Sequence, residues 1–518
     1  MPYETAILVL FVIASVVAVA ARRVNLPYTI ALMAVGIALG ALHLLNAPHL
    51  TRDLLYDIFL PPLIFEAAIH LRGDDLRRDF WPIATLVVPG VILSTLATAA
   101  VMIPISHYIP QLHALNWAVG ILFGAAVAAT DPVAVVALFK RLGVPQRLRV
   151  LMESESLLND GTAIVIFTIA WAFIHGDLAT PGDAVVEFFQ IVGLGLLIGV
   201  IVGFLTAVAM QNLDDVMIVI TLTTVAAYGS FLIAQRLGVS GVMSTVAAGL
   251  VVGQRGFTNT LFPSIRLSTE NFWEYIAFAM NSLIFLLMGL AIDLKMLWQL
   301  WPFVLLAYFS MMVARFIVVT GTWGIFYPTR LQFPFRWTLI LGWGGLRGAL
   351  SMVLALSLPD GFLYKNLIVT LVFGVVLLAL FLQGLTISGI LRRLRIVTPL
   401  SEIRTYEQLK TQITLLHNTM DAIDRLRKRH MISAKSAQSL EDEFQKKIDE
   451  ILEELQKATP DKEALLKEEL IRTKRRLLMD QKNDLFELYR SGTIDYGTYE
   501  ALKNEIDGQI FALENEGA

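Results

Sequence analysis

The chain has 518 residues, 56% hydrophobic and only 16% charged, where a soluble domain carries about a quarter charged residues. Charge is also uneven: 42 Asp, Glu, Lys and Arg fall in residues 1 to 400 and 43 in the last 118, so the two regions face different solvents. Zero cysteines exclude a disulfide framework, a thiolate metal site and a cysteine nucleophile; the net charge of −3 itself says nothing about nucleic acid, and no basic patch of the density such a partner requires stands out.

Runs of about 18 to 25 apolar residues are long enough to cross a bilayer core as helices. Taken in order, the first six candidate spans are 5–21, 27–45, 53–71, 81–107, 115–139 and 151–174. The other seven are 184–209, 214–235, 240–253, 271–292, 300–325, 336–358 and 364–391. The N-terminal MPYETAILVL lacks the basic start and cleavage site of a signal peptide and reads as a retained first span. With the N-terminus outside, sixteen Lys and Arg fall on inner loops and junctions, among them Arg77, Arg78, Arg147, Arg392 and Arg393. Only Arg52, Arg236, Lys295 and Lys365 fall outside, so the N-terminus is expected outside and the C-terminus in the cytoplasm.

Thirteen spans permit two inverted six-helix halves joined by the seventh. Corresponding spans should then be interrupted alike. Span 5 carries Thr130-Asp131-Pro132, and span 12 carries Gly342, Gly344, Gly345 and Gly348 around Arg347. The expected fold is therefore all-α: a polytopic membrane protein of about 13 helices with two interrupted spans. From about residue 400 the sequence turns to charged, helix-favouring segments such as EDEFQKKIDEILEELQKA, with Pro460 separating two helices. The domains are read as 1–398 in the membrane and 399–518 as a soluble helical tail, coiled-coil-like or a small bundle.

An ionisable residue inside a membrane is a functional candidate by default, because an unpaired charge there is costly. Five stand out: Glu66, Asp131, Asp160, Arg315 and Arg347. At about 1.5 Å rise per residue, Asp131, Asp160 and Arg347 lie roughly 12 to 16 Å from the inner face, and Arg315 is mid-span. Pro132 removes a backbone donor and frees carbonyls such as that of Thr130, which with a carboxylate make hard oxygen ligands for an alkali cation or a proton. Ser156 and Asp160 share one helical face with Asn159 beside them, a hydroxyl, an amide and a carboxylate able to replace part of a hydration shell. The competing reading of Ser156 to Asn159 is a capping cluster at a helix start.

The segments ATDPVAVVALF, ESLLNDGTAIVIF, FWEYIAFAMNSLIFLLMGL and GGLRGALSMVLALSLP together resemble the sodium/proton antiporters of the NhaP and NHE type, within the cation:proton antiporter family. The likeness runs over roughly residues 5 to 395 and leaves the tail unassigned. It implies crossed interrupted helices, a homodimer in the cell membrane, a part in pH homeostasis, and exchange of Na⁺ for H⁺. Li⁺ and K⁺ stay open, because all three cations use the same oxygen ligands. No cofactor is implied beyond the transported ions.

Residue by residue, the resemblance implies Asp160 as the principal cation- and proton-binding carboxylate, with Asp131, Ser156 and the Thr130 carbonyl as co-ligands and Glu66 on the cytoplasmic approach. Asn159 resembles the electroneutral branch; it either ligates or orients Asp160, or only bridges helices. Glu155 resembles one half of a structural pair with Arg315, and Arg347 the compensation of the broken helices. Pairing of Glu155 with Arg347 is the alternative. Cation and proton competing for one carboxylate would couple the two fluxes. A channel is disfavoured because the charges are discrete and paired with basic residues. Intact TDP and ND motifs disfavour a non-transporting sensor, and the absence of nucleophile and HExxH motifs disfavours an enzyme.

Overall fold

The computed structural model describes the chain except residues 1–2, 25–26, 43–52, 72, 107–115, 176–179, 212, 214, 258–262, 330, 360, 395, 397–399, 429–431, 458–461 and 517–518. Arg52, counted above among the outer charges, three of the sixteen inner ones (Arg72, Arg330 and Arg395) and Pro460 lie outside the described residues. By compactness the chain divides into a unit of Met1–Arg141 with Gln146–Leu394 and a second of Leu142–Pro145 with Arg395–Ala518.

The first unit is helical. Its helices are α1 (Tyr3–Val24), α2 (Tyr28–Ala41), α3 (Leu60–His70), α4 (Gly73–Arg78), α5 (Phe80–Val87), α6 (Pro89–Ser106), α7 (Trp117–Ala128), α8 (Val133–Leu142), α9 (Gln146–His175) and α10 (Pro181–Ala209). There follow α11 (Val216–Arg236), α12 (Gly241–Val251), α13 (Pro263–Ala291), α14 (Leu294–Gln299), α15 (Trp301–Phe326), α16 (Phe335–Trp343), α17 (Ala349–Leu356), α18 (Lys365–Leu378) and α19 (Gly384–Arg393). Among the described residues seven stretches are long and apolar enough to cross a membrane without interruption, from Phe80–Ile105 to Lys365–Arg393. Others of the expected spans are shorter apolar helices, such as Tyr28–Ala41, or are broken midway.

Two groups of helices pack mainly among themselves. Helices α1 to α3 join α10 to α13, and α5 to α7 with α9 join α15 to α19, as inverted halves require when each contributes its first three spans to one group and its last three to the other. Without a hydrophobic drive between helices in lipid, close backbone approach holds such groups, and it needs small residues. Along α10, Gly195, Gly199 and Gly203 recur every four residues, and a Cβ at any of them would strike the backbone of Ser240, Ser244 or Ala248 on or just before α12.

Both expected breaks are present. Helix α7 ends at Ala128, where Ala129 turns extended, and α8 restarts at Val133, just after Pro132. Helix α16 ends at Trp343, and α17 restarts after Gly348, whose backbone is extended. The breaks cross: the Asp131 N–H donates to the Leu346 carbonyl at 2.8 Å.

Among its described residues the second unit holds four helices in two hairpins: α20 (Leu400–Lys428) with α21 (Ala434–Lys457), and α22 (Lys462–Arg490) with α23 (Tyr496–Glu516). Arg427 links the first hairpin to Glu441 at 3.4 Å. The second turns at Gly492, in the left-handed region at φ 73°, and stacks Tyr489 on Tyr499 with centroids 4.8 Å apart. Asp495 caps α23, and hydrogen bonds from the Thr498 hydroxyl and nearby backbone hold its carboxyl below the usual range.

Candidate functional site

Ending α7 at Ala128 strips the carbonyls of its last turn of helical partners, and the crossing supplies others. Arg347, itself in the opposite break and fully buried, donates through Nη1 to the Ala128 and Ala129 carbonyls, both at 3.2 Å. A guanidinium at a helix C-terminus also meets the negative end of the helix dipole. The next carbonyl, Thr130, accepts from the Ser156 hydroxyl. The break thus leaves three successive oxygens for use by other helices, where the sequence named Thr130 as one example.

On α9, Asn159 faces Thr130 on both sides. Its Oδ1 accepts from the Thr130 N–H at 3.2 Å, and its Nδ2 donates to the Thr130 hydroxyl at 2.7 Å and to Glu155 at 3.3 Å. The carboxamide therefore clamps the extended strand of the first break. Because α9 begins at Gln146, Ser156 and Asn159 lie well inside it, which removes the reading of these residues as a helix cap.

Asp131 sits where the breaks meet. Its Oδ1 accepts from the Val133 N–H at 2.9 Å and so caps α8, placing a carboxylate at the positive end of that half-helix. Opposite it stands Gly348, where a Cβ would fall inside the Asp131 side chain. Any larger residue at 348 would push the crossing apart.

The open choice of partner for Glu155 is decided by geometry. Arg315 on α15 grips it with two parallel bonds, Nη1 to Oε1 at 2.6 Å and Nη2 to Oε2 at 2.7 Å, with both residues at most 5% exposed. Arg315 also donates to the Leu341 carbonyl at 2.9 Å, at the end of the half-helix α16. Each guanidinium thus relieves the C-terminal end of one half-helix, and that of Arg315 is consumed by Glu155 as well.

Asp160 is different. It is half-buried, its Oδ1 is enclosed and has no hydrogen-bond partner among the described residues, and Asp131, Glu155 and Arg347 are all within electrostatic reach. Arg347 Nε and Nη2 likewise have no partner among the described residues. Glu66 comes from another helix, α3. There it meets His70, whose Nδ1 is 3.4 Å from Glu66 Oε1 and whose Nε2 is 3.9 Å from Glu274.

Three features escaped the sequence. Tyr28, in the first turn of α2, feels the charges of both Asp131 and Glu66, with its ring 5.5 Å from Phe278. Arg147, counted above as a loop charge, binds the fully buried Asp79 at 2.8 Å and the Leu331 and Gln332 carbonyls. Gly348 was seen as one glycine among four, with no sign that it alone faces Asp131. In principle an Asp next to the apolar run beginning at Phe80 could have suggested the second of these.

Residues 7–393 match the family profile described as sodium/hydrogen exchanger, transmembrane. A Na(+)/H(+) antiporter of Aphanothece halophytica, ApNhaP, is 35% identical over 398 residues, 76% of this chain and 75% of that protein. The Na(+)/H(+) antiporter NhaG of Bacillus atrophaeus is 29% identical over 527 residues, 99% of this chain and 98% of that protein, so similarity extends into the tail that the sequence motifs left uncovered. In fold, the sodium proton antiporter MjNhaP1 from Methanocaldococcus jannaschii, solved at pH 8, matches with a TM-score of 0.63 at 19% identity, covering 76% of this chain and 99% of that one.

Proposed function

The chain belongs to the sodium/hydrogen exchanger family, a family of membrane transporters and not of enzymes, and from that premise we propose that it exchanges Na⁺ for H⁺ through Asp160. The observation that carries the assignment is the unsatisfied Oδ1 of Asp160 beside a Glu155 already held by Arg315. A paired buried carboxylate has no reason to exchange ligands; an unpaired one needs a proton or a cation. Asp131, Ser156 and Thr130 supply further oxygens next to it, Asn159 holds Thr130 in place, and Glu66 lies on the approach.

Proton and cation then compete for one carboxylate, and competition is the coupling. Lowering the pH raises the cation concentration needed for half-maximal exchange. Because Asn159 cannot titrate, the site carries the same net charge with either ligand, so exchange is one for one and electroneutral. Alternating access carries the site between membrane faces as the helix group bearing the crossing moves against the glycine-ribbed group. The protein resides in the cell membrane with its N-terminus outside and its C-terminus cytoplasmic, acts as a homodimer, and uses residues 1–398 for exchange and 399–518 for regulation or dimer support.

The test is proton flux in proteoliposomes driven by Na⁺, Li⁺ and K⁺ in turn, at zero potential and under an imposed one. Na⁺-driven flux indifferent to potential is expected. K⁺-driven flux without a Na⁺ response would transfer the same site to K⁺/H⁺ exchange, and a potential-dependent rate would refute one-for-one stoichiometry and bring in Asp131 as a second proton carrier.

A further inference from the structure

Two neighbouring hollows of the membrane unit meet at Trp343, the last residue before the second helix break. The first, a cavity of about 410 Å³, is bounded by Phe316, Leu339, Trp343, Ile390 and Arg393. The second, about 720 Å³, shares Phe316 and Trp343 and follows α15 from Tyr308 past Met312 and Ile317 to Gly321. Together they form one groove along α15, apolar over its length, with no Asp or Glu in its lining.

Charge gathers at one end only. Helix α19 closes on Arg392 and Arg393, both exposed, and Arg336 reaches the Leu394 carbonyl at 3.5 Å beside them. None of the three is paired with a carboxylate among the described residues. An apolar channel on a membrane-embedded surface, ending in unpaired arginines, has the chemistry of an acyl chain below an anionic headgroup.

We propose that this groove binds an anionic phospholipid, its chain along α15 and its phosphate at Arg336, Arg392 and Arg393. The position gives it leverage on the site. Phe316, on the groove floor, follows Arg315 and packs so closely on α16 that a Cβ at Gly342 would lie 2.6 Å from its ring. Trp343, the last residue of the half-helix, is tied to Thr386 of α19 by its indole N–H at 2.9 Å. A chain in the groove braces the half-helix whose end Arg315 holds, and so steadies the crossing from behind.

The test is thermal unfolding of the full-length protein in detergent with added phosphatidylglycerol, phosphatidylcholine or inorganic phosphate, together with the amount of each lipid retained after washing. Phosphatidylglycerol should raise the midpoint of the wild type above that in phosphatidylcholine, since a ligand of the folded state stabilises it. An arginine near an anionic headgroup is worth roughly fivefold in affinity, so Arg392→Gln with Arg393→Gln should weaken retention on the order of 20-fold and merge the two midpoints. Gly321→Leu, at an exposed position with open space around it, should displace the chain and reduce retention with the arginines intact. Equal midpoints in both lipids for the wild type would overturn the proposal without any variant. So would undiminished retention in either variant, or a phosphate effect as large as that of phosphatidylglycerol, which would mean an anion site without a lipid.

Discussion

Glu155 and Asp160 are two carboxylates on one helix, five residues apart, and the cluster treats them oppositely. Around Glu155 every demand is met: both oxygens take a guanidinium N–H, and Arg315 spends its remaining contact on the end of α16. Around Asp160 an enclosed oxygen is left without a partner among the described residues, and the nearby Arg347 directs its bonds to the Ala128 and Ala129 carbonyls instead. A satisfied charge is architecture, and an unsatisfied one is a place for a mobile ligand. The difference also bears on how these charges share one level of a membrane: Glu155 and Arg315 cancel, Arg347 offsets the end of α7, Asp131 caps α8, and Asp160 is left for the proposed exchange.

The sharpest way to break this comparison is to neutralise each carboxylate. Asp160→Asn should abolish cation-driven proton flux in proteoliposomes, while the purified protein keeps or exceeds the wild-type unfolding midpoint, since no pair is lost. Flux near the wild-type rate from a folded Asp160→Asn protein would end the assignment. Glu155→Gln should do the reverse in kind: it strands Arg315, and removal of one partner of a buried pair costs about 3–5 kcal/mol, seen as a large drop in unfolding midpoint or in membrane yield. Wild-type stability in Glu155→Gln would show that the pair is dispensable.

Asp131→Asn sharpens the comparison from between the two. A carboxamide keeps an oxygen for the Val133 N–H, so α8 stays capped and the protein folds, but the carboxylate beside the Thr130 carbonyl is gone and exchange should fall below detection. Normal exchange in Asp131→Asn would confine Asp131 to a structural role with Glu155. The smallest effect is expected from truncation near residue 400, because every proposed ligand precedes it. Turnover should persist, with a changed dependence on pH, measured as flux across a pH series; a folded but inactive truncation would place part of the machinery in the tail.

Much of this was legible in the order of residues. Apolar runs declare helices in lipid, because hydrocarbon offers the backbone no other hydrogen-bond partner. Thr130-Asp131-Pro132 and the glycines around Arg347 announced both breaks, since a missing donor and missing side chains act on the chain locally. The candidate residues could be named for a similar reason: a charge within an apolar run is conspicuous without knowing its neighbours. The four helices of the tail were only half visible, as two hairpins need a turn such as that at Gly492, whose left-handed backbone a lone glycine does not advertise.

What the sequence by itself determined, then, was the medium, the breaks and the set of charges, all consequences of local chemistry. Which charge meets which was decided only in three dimensions. Glu155 and Arg315 are 160 residues apart, Arg347 reaches Ala128 across 219, and Asp131 fits only because Gly348 opposite it lacks a side chain. These partners belong to different helices, and their meeting depends on how the two breaks cross. Whether a buried carboxylate is satisfied is a property of that crossing, and it separates Asp160 from Glu155 although the sequence presents both as acids in an apolar helix.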